Sequence, residues 1–388
     1  MGDYTVNGKV AVIGMGQTTY YRHGQSPEPE FKLALQAILN AAEDAGLNVR
    51  DIDGFCSYSN DRNDPVRLGT AFNSKDIAFS NMFWGGGGGG VCGAVGNAAA
   101  ALNAGYCKYV VVYRALAQGE FGRFGAGRAP GRASGRLAFT LPYGVMSAVH
   151  QIALRTRRFM YENDVTDEAF CAVSLASYAH AQNNPDAIMY GRPLTREQYY
   201  ASRWIAEPFR LFDCCQENDG AAAIILTTTE RAMDHPHKPV RLMAASQGTS
   251  ARYDLVGHFN EDYGSANFRT VAPRLWEQAG ISAKDVDVAQ IYENFTGAVV
   301  MSMVEHGFCG YDEVMDFFTE ENLTVGGRMP INTSGGNLAE CYMHGLGLVI
   351  EAARQIRGTS VNQIKDAEIS MVGGGPASSP VSSLVFCA

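Results

Sequence analysis

Hydrophobic and polar positions follow one pattern twice along this chain. Residues 42–58 read AEDAGLNVRDIDGFCSY, and residues 276–292 read WEQAGISAKDVDVAQIY. Each stretch begins as the end of a helix, passes an Ala-Gly pair, turns through D-[IV]-D and closes as a short apolar strand. The Ala-Gly pair fits the left-handed cap that ends helices, and the aspartates suit a tight turn into a strand. Asp51 and Asp53 align without a gap with Asp285 and Asp287, and Tyr58 aligns with Tyr292.

The correspondence continues outside these windows. The strand KVAVIGMGQT (9–18) parallels KPVRLMAASQGT (238–249). The helix and strand AAAALNAGYCKYVVVY (98–113) parallel IEAARQIRGTSVNQIKDAEISMVGGG (350–375). The glycine-rich entry at 85–90 parallels Ser334-Gly335-Gly336. Strands alternating with helices predict sheets covered by helices, so the expected fold is α/β with two similar βαβ-type halves. The N-terminal half spans 1–114 and 211–235, an inserted loop domain spans 115–210, and the C-terminal half spans 236–388.

The insertion has its own texture. GEFGRFGAGRAPGRASGRLAFTLPYG carries Arg123, Arg128, Arg132 and Arg136 among glycines, and a helical stretch with Arg155, Arg157 and Arg158 follows. Two readings stand: a solvated loop, or a lid that receives an anionic ligand such as a nucleotide-phosphate handle.

Composition narrows the classes. The 388 residues are 46% hydrophobic, enough to bury a large core. A net charge of −9 argues against a nucleic-acid partner, which would need a basic face. There is no run of about 18 apolar residues to span a membrane, and the N-terminus enters a strand without a signal-like segment. The nine cysteines are scattered without paired spacing, which suits reduced thiols in a cytoplasm. Cys214 and Cys215 are adjacent without a CxxC and are expected to pack beneath the turn into the strand 221–227. No metal constellation emerges from the eight histidines, and His235-Pro-His237 reads as an exposed turn.

The stretch WGGGGGGVCGAVGNAAAALNAG (84–105) carries the sharpest chemical question. A phosphate cradle would need GxxxxGK[ST], or an acidic residue about 20 positions downstream, and neither is present. The glycines instead permit close backbone approach before a buried, Ala-rich helix.

The order of landmarks is specific. After this turn and helix come Asn218-Asp219-Gly220-Ala221-Ala222-Ala223, Tyr292-Glu293-Asn294-Phe295, Asn332-Thr333-Ser334-Gly335-Gly336, Cys341-Tyr342-Met343-His344-Gly345 and Met371-Val372-Gly373-Gly374-Gly375. Over nearly its whole length the chain resembles the thiolase superfamily. Within it the resemblance is to the lipid-transfer-protein-like branch, and there to the steroid side-chain-cleaving aldolases. A thiolase carries a nucleophilic cysteine on the turn into its buried helix; here that position falls on Gly88, and Cys92 lies about one helical turn further in. The family's His or Asn before x-x-Phe is Tyr292, the His of its Gly-His-Pro motif is Tyr342, and its C-terminal cysteine is Met371.

Glycine and methionine can neither form an acyl-enzyme nor abstract an α-proton, so ping-pong Claisen chemistry is not available at these positions. The resemblance implies a retro-aldol lyase acting on a β-hydroxyacyl-CoA steroid side chain of the 17-hydroxy, 20-carboxyl-CoA type. The products would be a 17-keto steroid and propionyl-CoA. Tyr342 is expected near the β-hydroxyl as base and Tyr292 near the enolate as acid, with the reverse left open. His344 and Glu293 are candidate relays, and the backbones of Gly88 and Gly373 form a candidate oxyanion site. No cofactor is expected to be bound covalently, since the substrate brings coenzyme A. A homodimer is implied, together with a small OB-like acyl-CoA-binding partner that carries a zinc ribbon in many members. Two other readings remain: a non-catalytic acyl-CoA- or lipid-binding subunit, and an acyltransferase that recruits Cys92.

Overall fold

The two halves of the repeat build matching strand orders. The structure, a computed structural model, describes residues 6–122, 133–253 and 261–388. Arg123, Arg128 and Arg132 of the basic insertion lie outside the described residues, as does the Arg136 side chain. The first half carries β1 (Val10–Gln17), β2 (Tyr21–Arg22), β3 (Gly54–Tyr58), β4 (Phe79–Phe83) and β5 (Val110–Leu116). A two-stranded ribbon, β6 (Trp204–Ala206) and β7 (Phe209–Arg210), precedes the long strand β8 (Asn218–Thr228). The second half carries β9 (Val240–Gly248), β10 (Val288–Ile291), β11 (Ile369–Gly374) and β12 (Val381–Cys387).

The main sheet runs β10-β11-β12-β9-β1-β8-β5-β3-β4. Read outward from its middle, β1-β8-β5-β3 has the same topology as β9-β12-β11-β10. The halves join where β1 and β9 pair antiparallel, Ala11 with Arg241 and Val12 with Val240.

The aspartates aligned in the sequence have matching roles. Asp53 accepts the backbone N–H groups of Lys108 and Tyr109 at 2.9 and 2.8 Å, where the chain enters β5. Asp287 accepts those of Glu368 and Ile369 at 2.8 and 2.9 Å, where the chain enters β11. Each carboxylate thus ties the start of one strand to its parallel neighbour. The helices before these turns end as the Ala-Gly pairs indicate, with Gly46 and Gly280 at φ 61° and 72°.

Helix Val91–Asn103 has no charged residue, and a helix apolar on nearly every face must lie inside. It shares one buried cluster with helix Leu346–Arg357 and with strands of both halves. Here the structure corrects the repeat. Ser334-Gly335-Gly336 leads only into the four-residue helix Gly336–Ala339. The entry into Leu346–Arg357 is His344-Gly345, with Gly345 as its N-cap. The insertion is also more regular than a loop: helices Ala148–Asn163 and Asp167–Ala181 occupy much of it. All nine cysteines are free. Among the described residues no single helix is long and apolar enough to cross a membrane.

Replacing either clamp by alanine strands two backbone donors. Asp53→Ala and Asp287→Ala should each cost about 1–3 kcal/mol in urea unfolding. Because the two sites lie in opposite halves, the losses should add within about 0.5 kcal/mol in the double mutant. A loss confined to one site would remove the equivalence of the two turns.

Candidate active site

Three consecutive left-handed residues, Gly85, Gly86 and Gly87 at φ 76°, 70° and 52°, bend the chain at the end of β4 toward the central helix. Side chains are disfavoured in that region of backbone space, which accounts for the run. Gly88 follows and lines a cavity of about 1380 Å³, together with Tyr292, Tyr342 and His344. Val149, Ile152, Leu211, Phe212 and Phe295 form an apolar wall of this cavity, and Arg22, His23, Asn60 and Glu217 supply polar groups.

Tyr292 leaves the end of β10 with its N–H donated to the Gly373 carbonyl at 2.8 Å. Tyr342 stands on the turn before Leu346–Arg357, its N–H donated to Asn218 Oδ1 at 3.0 Å. The two phenols meet edge to face, and the Tyr292 hydroxyl donates to that of Tyr342 at 2.8 Å. Both side chains are almost wholly buried.

Gly88 is what allows this. A Cβ on Gly88 would lie 2.2 Å from Cε2 and Cζ of Tyr292 and 2.5 Å from its hydroxyl. On the other side, a Cβ on Gly345 would lie 2.8 Å from Cδ2 of the same ring. The tyrosine ring occupies the space into which a side chain at Gly88 would project. A cysteine on the turn and this phenol exclude each other.

Electrostatics keeps the cluster uncharged at neutral pH. Burial pushes the Tyr292 phenol well above its usual range, and the neighbouring Tyr342 adds to this. Burial also raises Tyr342, and the hydrogen bond from Tyr292 and the charge of Arg114 oppose that rise. Burial, and then Arg114, hold His344 well below the ordinary imidazole range, so it is neutral. Its ring packs 5.5 Å from that of Tyr342.

Other residues singled out from the sequence stand elsewhere. Cys92 is fully buried in the central helix, its thiol directed to the Val372 carbonyl at 3.7 Å, and burial raises its pKa far out of the nucleophilic range. Glu293 is buried outside the cavity lining, where its carboxylate accepts the Asn337 N–H at 3.0 Å. It neighbours Tyr292 along the chain but faces away, and burial lifts its pKa to about 8. Gly373 pairs with Ile291 and Ser383 inside β11, so its backbone belongs to the sheet. The glycine of that turn that lines the cavity is Gly375, packed against Gly88 and Gly89. Cys214 and Cys215, expected beneath the turn into the strand 221–227, are instead half-buried and line the cavity.

Sequence reading gave no role to Arg114, Asp61 or Asn218. Arg114 is fully buried and paired with Asp61 at 3.2 Å. A charged residue within the apolar run VVVYRAL was a readable signal, since a buried arginine requires a partner. Asn218 begins the Asn-Asp-Gly-Ala-Ala-Ala segment, but only the fold brings it to Tyr342.

The topology is that of the thiolase fold, and the turn at Gly88 carries no cysteine. The family described as thiolase C-terminal domain-like matches residues 254–386. The chain is 38% identical to the 17-hydroxy-3-oxo-4-pregnene-20-carboxyl-CoA lyase of Mycobacterium tuberculosis, covering 98% of this chain and 100% of that one. It is 37% identical to the steroid side-chain-cleaving aldolase of Thermomonospora curvata, covering 98% of each. A solved Ltp2-ChsH2(DUF35) aldolase superposes with a TM-score of 0.92 at 36% identity, over 99% of both chains. A human mitochondrial 3-ketoacyl-CoA thiolase, at 12% identity and a TM-score of 0.70, shares the fold. The chain belongs to the steroid side-chain-cleaving aldolases of the thiolase superfamily.

If the Tyr292 ring fills the space above Gly88, Gly88→Ala should destabilise the protein by about 1–3 kcal/mol through overpacking. In a Tyr292→Ala background the same change should cost little, giving a coupling of at least about 1 kcal/mol in a double-mutant cycle. Equal costs in both backgrounds would mean that the two residues do not compete for one space.

Proposed function

We propose that this chain is a carbon–carbon lyase that cleaves a steroid β-hydroxyacyl-CoA side chain by retro-aldol reaction. The substrate is of the 17-hydroxy, 20-carboxyl-CoA type, and the products are a 17-keto steroid and propionyl-CoA. The observation that carries this reading is the pair of hydrogen-bonded phenols in a cavity whose turn has lost its nucleophile. Likeness to two named steroid side-chain lyases supports the substrate class.

The reaction moves one proton. The β-hydroxyl loses it, the Cα–Cβ bond breaks, the C–O bond becomes a carbonyl, and the electron pair left on Cα takes a proton back. Oxygen and Cα are two bonds apart, and two touching phenols can bridge them. The substrate hydroxyl gives its proton to the Tyr292 oxygen, Tyr292 passes its own to Tyr342, and Tyr342 delivers its proton to Cα. Each phenol begins and ends neutral, which suits groups whose ionisation burial opposes. This order reverses the sequence-based expectation. It follows the Tyr292-to-Tyr342 direction of the hydrogen bond. Gly88 and Gly375, which line the cavity side by side, replace Gly88 and Gly373 as the candidate backbone donors for the thioester enolate oxygen.

The reading extends to assembly. The chain works as a homodimer with a small OB-like acyl-CoA-binding partner that carries a zinc ribbon; likeness to an Ltp2-ChsH2(DUF35) aldolase supports a DUF35 partner. It needs no covalent cofactor and acts in the cytoplasm.

Tyr292→Phe and Tyr342→Phe retain the rings and remove one hydroxyl each. Each should lower the rate of 17-ketone release by roughly 10²- to 10⁴-fold, with an unchanged fold by circular dichroism. The double mutant should lose less than the product, because both groups act on one proton. Cys92→Ala should remain within about threefold of the parent, as expected without an acyl-enzyme. Full activity in either Phe variant removes that tyrosine from the relay, and a folded but inactive Cys92→Ala restores the acyltransferase reading.

A further inference from the structure

The internal repeat supplies a second tyrosine whose position is not explained by packing alone. Tyr58 closes β3 as Tyr292 follows β10, and the two align in the repeated segments. Tyr292 extends its hydroxyl to the Tyr342 hydroxyl. Tyr58, from the other half, extends its own to the backbone of the same turn. It donates to the His344 carbonyl at 3.0 Å and lies 3.4 Å from that of Met343. The two repeat-related tyrosines therefore approach the Tyr342–Gly345 turn from opposite halves of the molecule.

That turn is held in an uncommon conformation. His344 has φ 54°, a left-handed geometry sparsely occupied by residues with side chains, and Gly345 follows at φ 92°. Such a kink persists only where its surroundings over-determine it. Asn218 Oδ1 holds the Tyr342 N–H on one side, and the Tyr58 hydroxyl holds the carbonyls on the other. Tyr58 is itself fixed from behind. The Arg114 guanidinium lies 5.6 Å from the centre of its ring, donates to its carbonyl at 3.4 Å and pairs with Asp61 at 3.2 Å. A buried charge pair thus fixes Tyr58, and Tyr58 fixes the kinked turn that carries Tyr342.

We infer that Tyr58 is a positioning residue for the reaction: its hydroxyl sets the backbone from which the Tyr342 phenol reaches Tyr292 and the substrate. The inference rests on the reading of Tyr342 as part of the proton relay. A phenyl ring at this position fills the same space but leaves the His344 carbonyl without that donor. The turn is then free to relax from its kink and carry the Tyr342 hydroxyl off line. Displacements of about 1 Å at a reacting group cost up to about 100-fold in rate.

The test is a kinetic cycle in the assembled enzyme, following release of the 17-ketone from a 17-hydroxy steroid acyl-CoA. Tyr58→Phe should lower kcat roughly 10- to 100-fold. KM should stay within about twofold, because the lost interaction acts on the chemical step. Its melting temperature should stay within about 5 °C of the parent. In a Tyr342→Phe background the same substitution should cost almost nothing further, since the phenol it positions is gone. An equal loss from Tyr58→Phe in both backgrounds, or a change confined to KM, overturns the inference while leaving the relay intact. A fully active Tyr342→Phe overturns the relay itself. A Tyr58→Phe chain that fails to fold also refutes the inference, by making the hydroxyl a general stability element.

Discussion

The approach of the Tyr292 ring to the backbone at Gly88 is the contact around which this site is arranged. It exists because Gly88 has no Cβ, and it would disappear with any side chain there. The left-handed glycines before it bring the turn close, and Gly345 leaves room on the ring's other face. The Tyr292 backbone is in turn held by Gly373, which is why that glycine matters although it lies within a strand. Loss of the nucleophile and gain of the phenol are therefore one structural event. The volume that a side chain on this turn would take is filled in this chain by the Tyr292 ring.

Neutrality is the second constraint. The cavity surrounds its phenols and its imidazole with apolar walls and glycine backbone, so burial disfavours every ionised form. A reaction that created a lasting charge would be penalised here. One that shifts a single proton from oxygen to carbon through two neutral hydroxyls is not. One buried charge pair, Arg114 with Asp61, lies behind the cavity lining, while Arg22 and Glu217 stand in the lining itself. Arg114 touches the ring and carbonyl of Tyr58, and its charge opposes the rise in the Tyr342 pKa.

The duplicated architecture makes this arrangement possible. Two halves of the same strand order meet at β1 and β9, so each contributes its central helix to one shared core. The ends of β3 and β10 are brought to the same region, and each delivers a tyrosine to the turn before Leu346–Arg357. The two copies make different contacts: the Tyr292 phenol lines the cavity, and the Tyr58 hydroxyl donates to the backbone of the turn.

Much of this was legible in the chain itself. The repeated D-[IV]-D turns, the Ala-Gly caps and the uncharged central helix depend on local propensity and periodicity, which sequence expresses directly. The substituted positions Gly88, Tyr292 and Tyr342 were legible because motif order fixes them without coordinates. What only the tertiary structure decided are relations between distant residues. It turned Glu293 away from the cavity although it adjoins Tyr292, because successive side chains along an extended segment point to opposite faces. It put Gly373 in the sheet and Gly375 at the cavity, opened Cys214 and Cys215 to that cavity, and moved the second helix entry to His344-Gly345. It joined Tyr58 to a carbonyl 286 positions away, a contact that neither composition nor spacing encodes. Local patterns specify which elements form; the packing of two half-sheets against a shared core specifies which side chains meet.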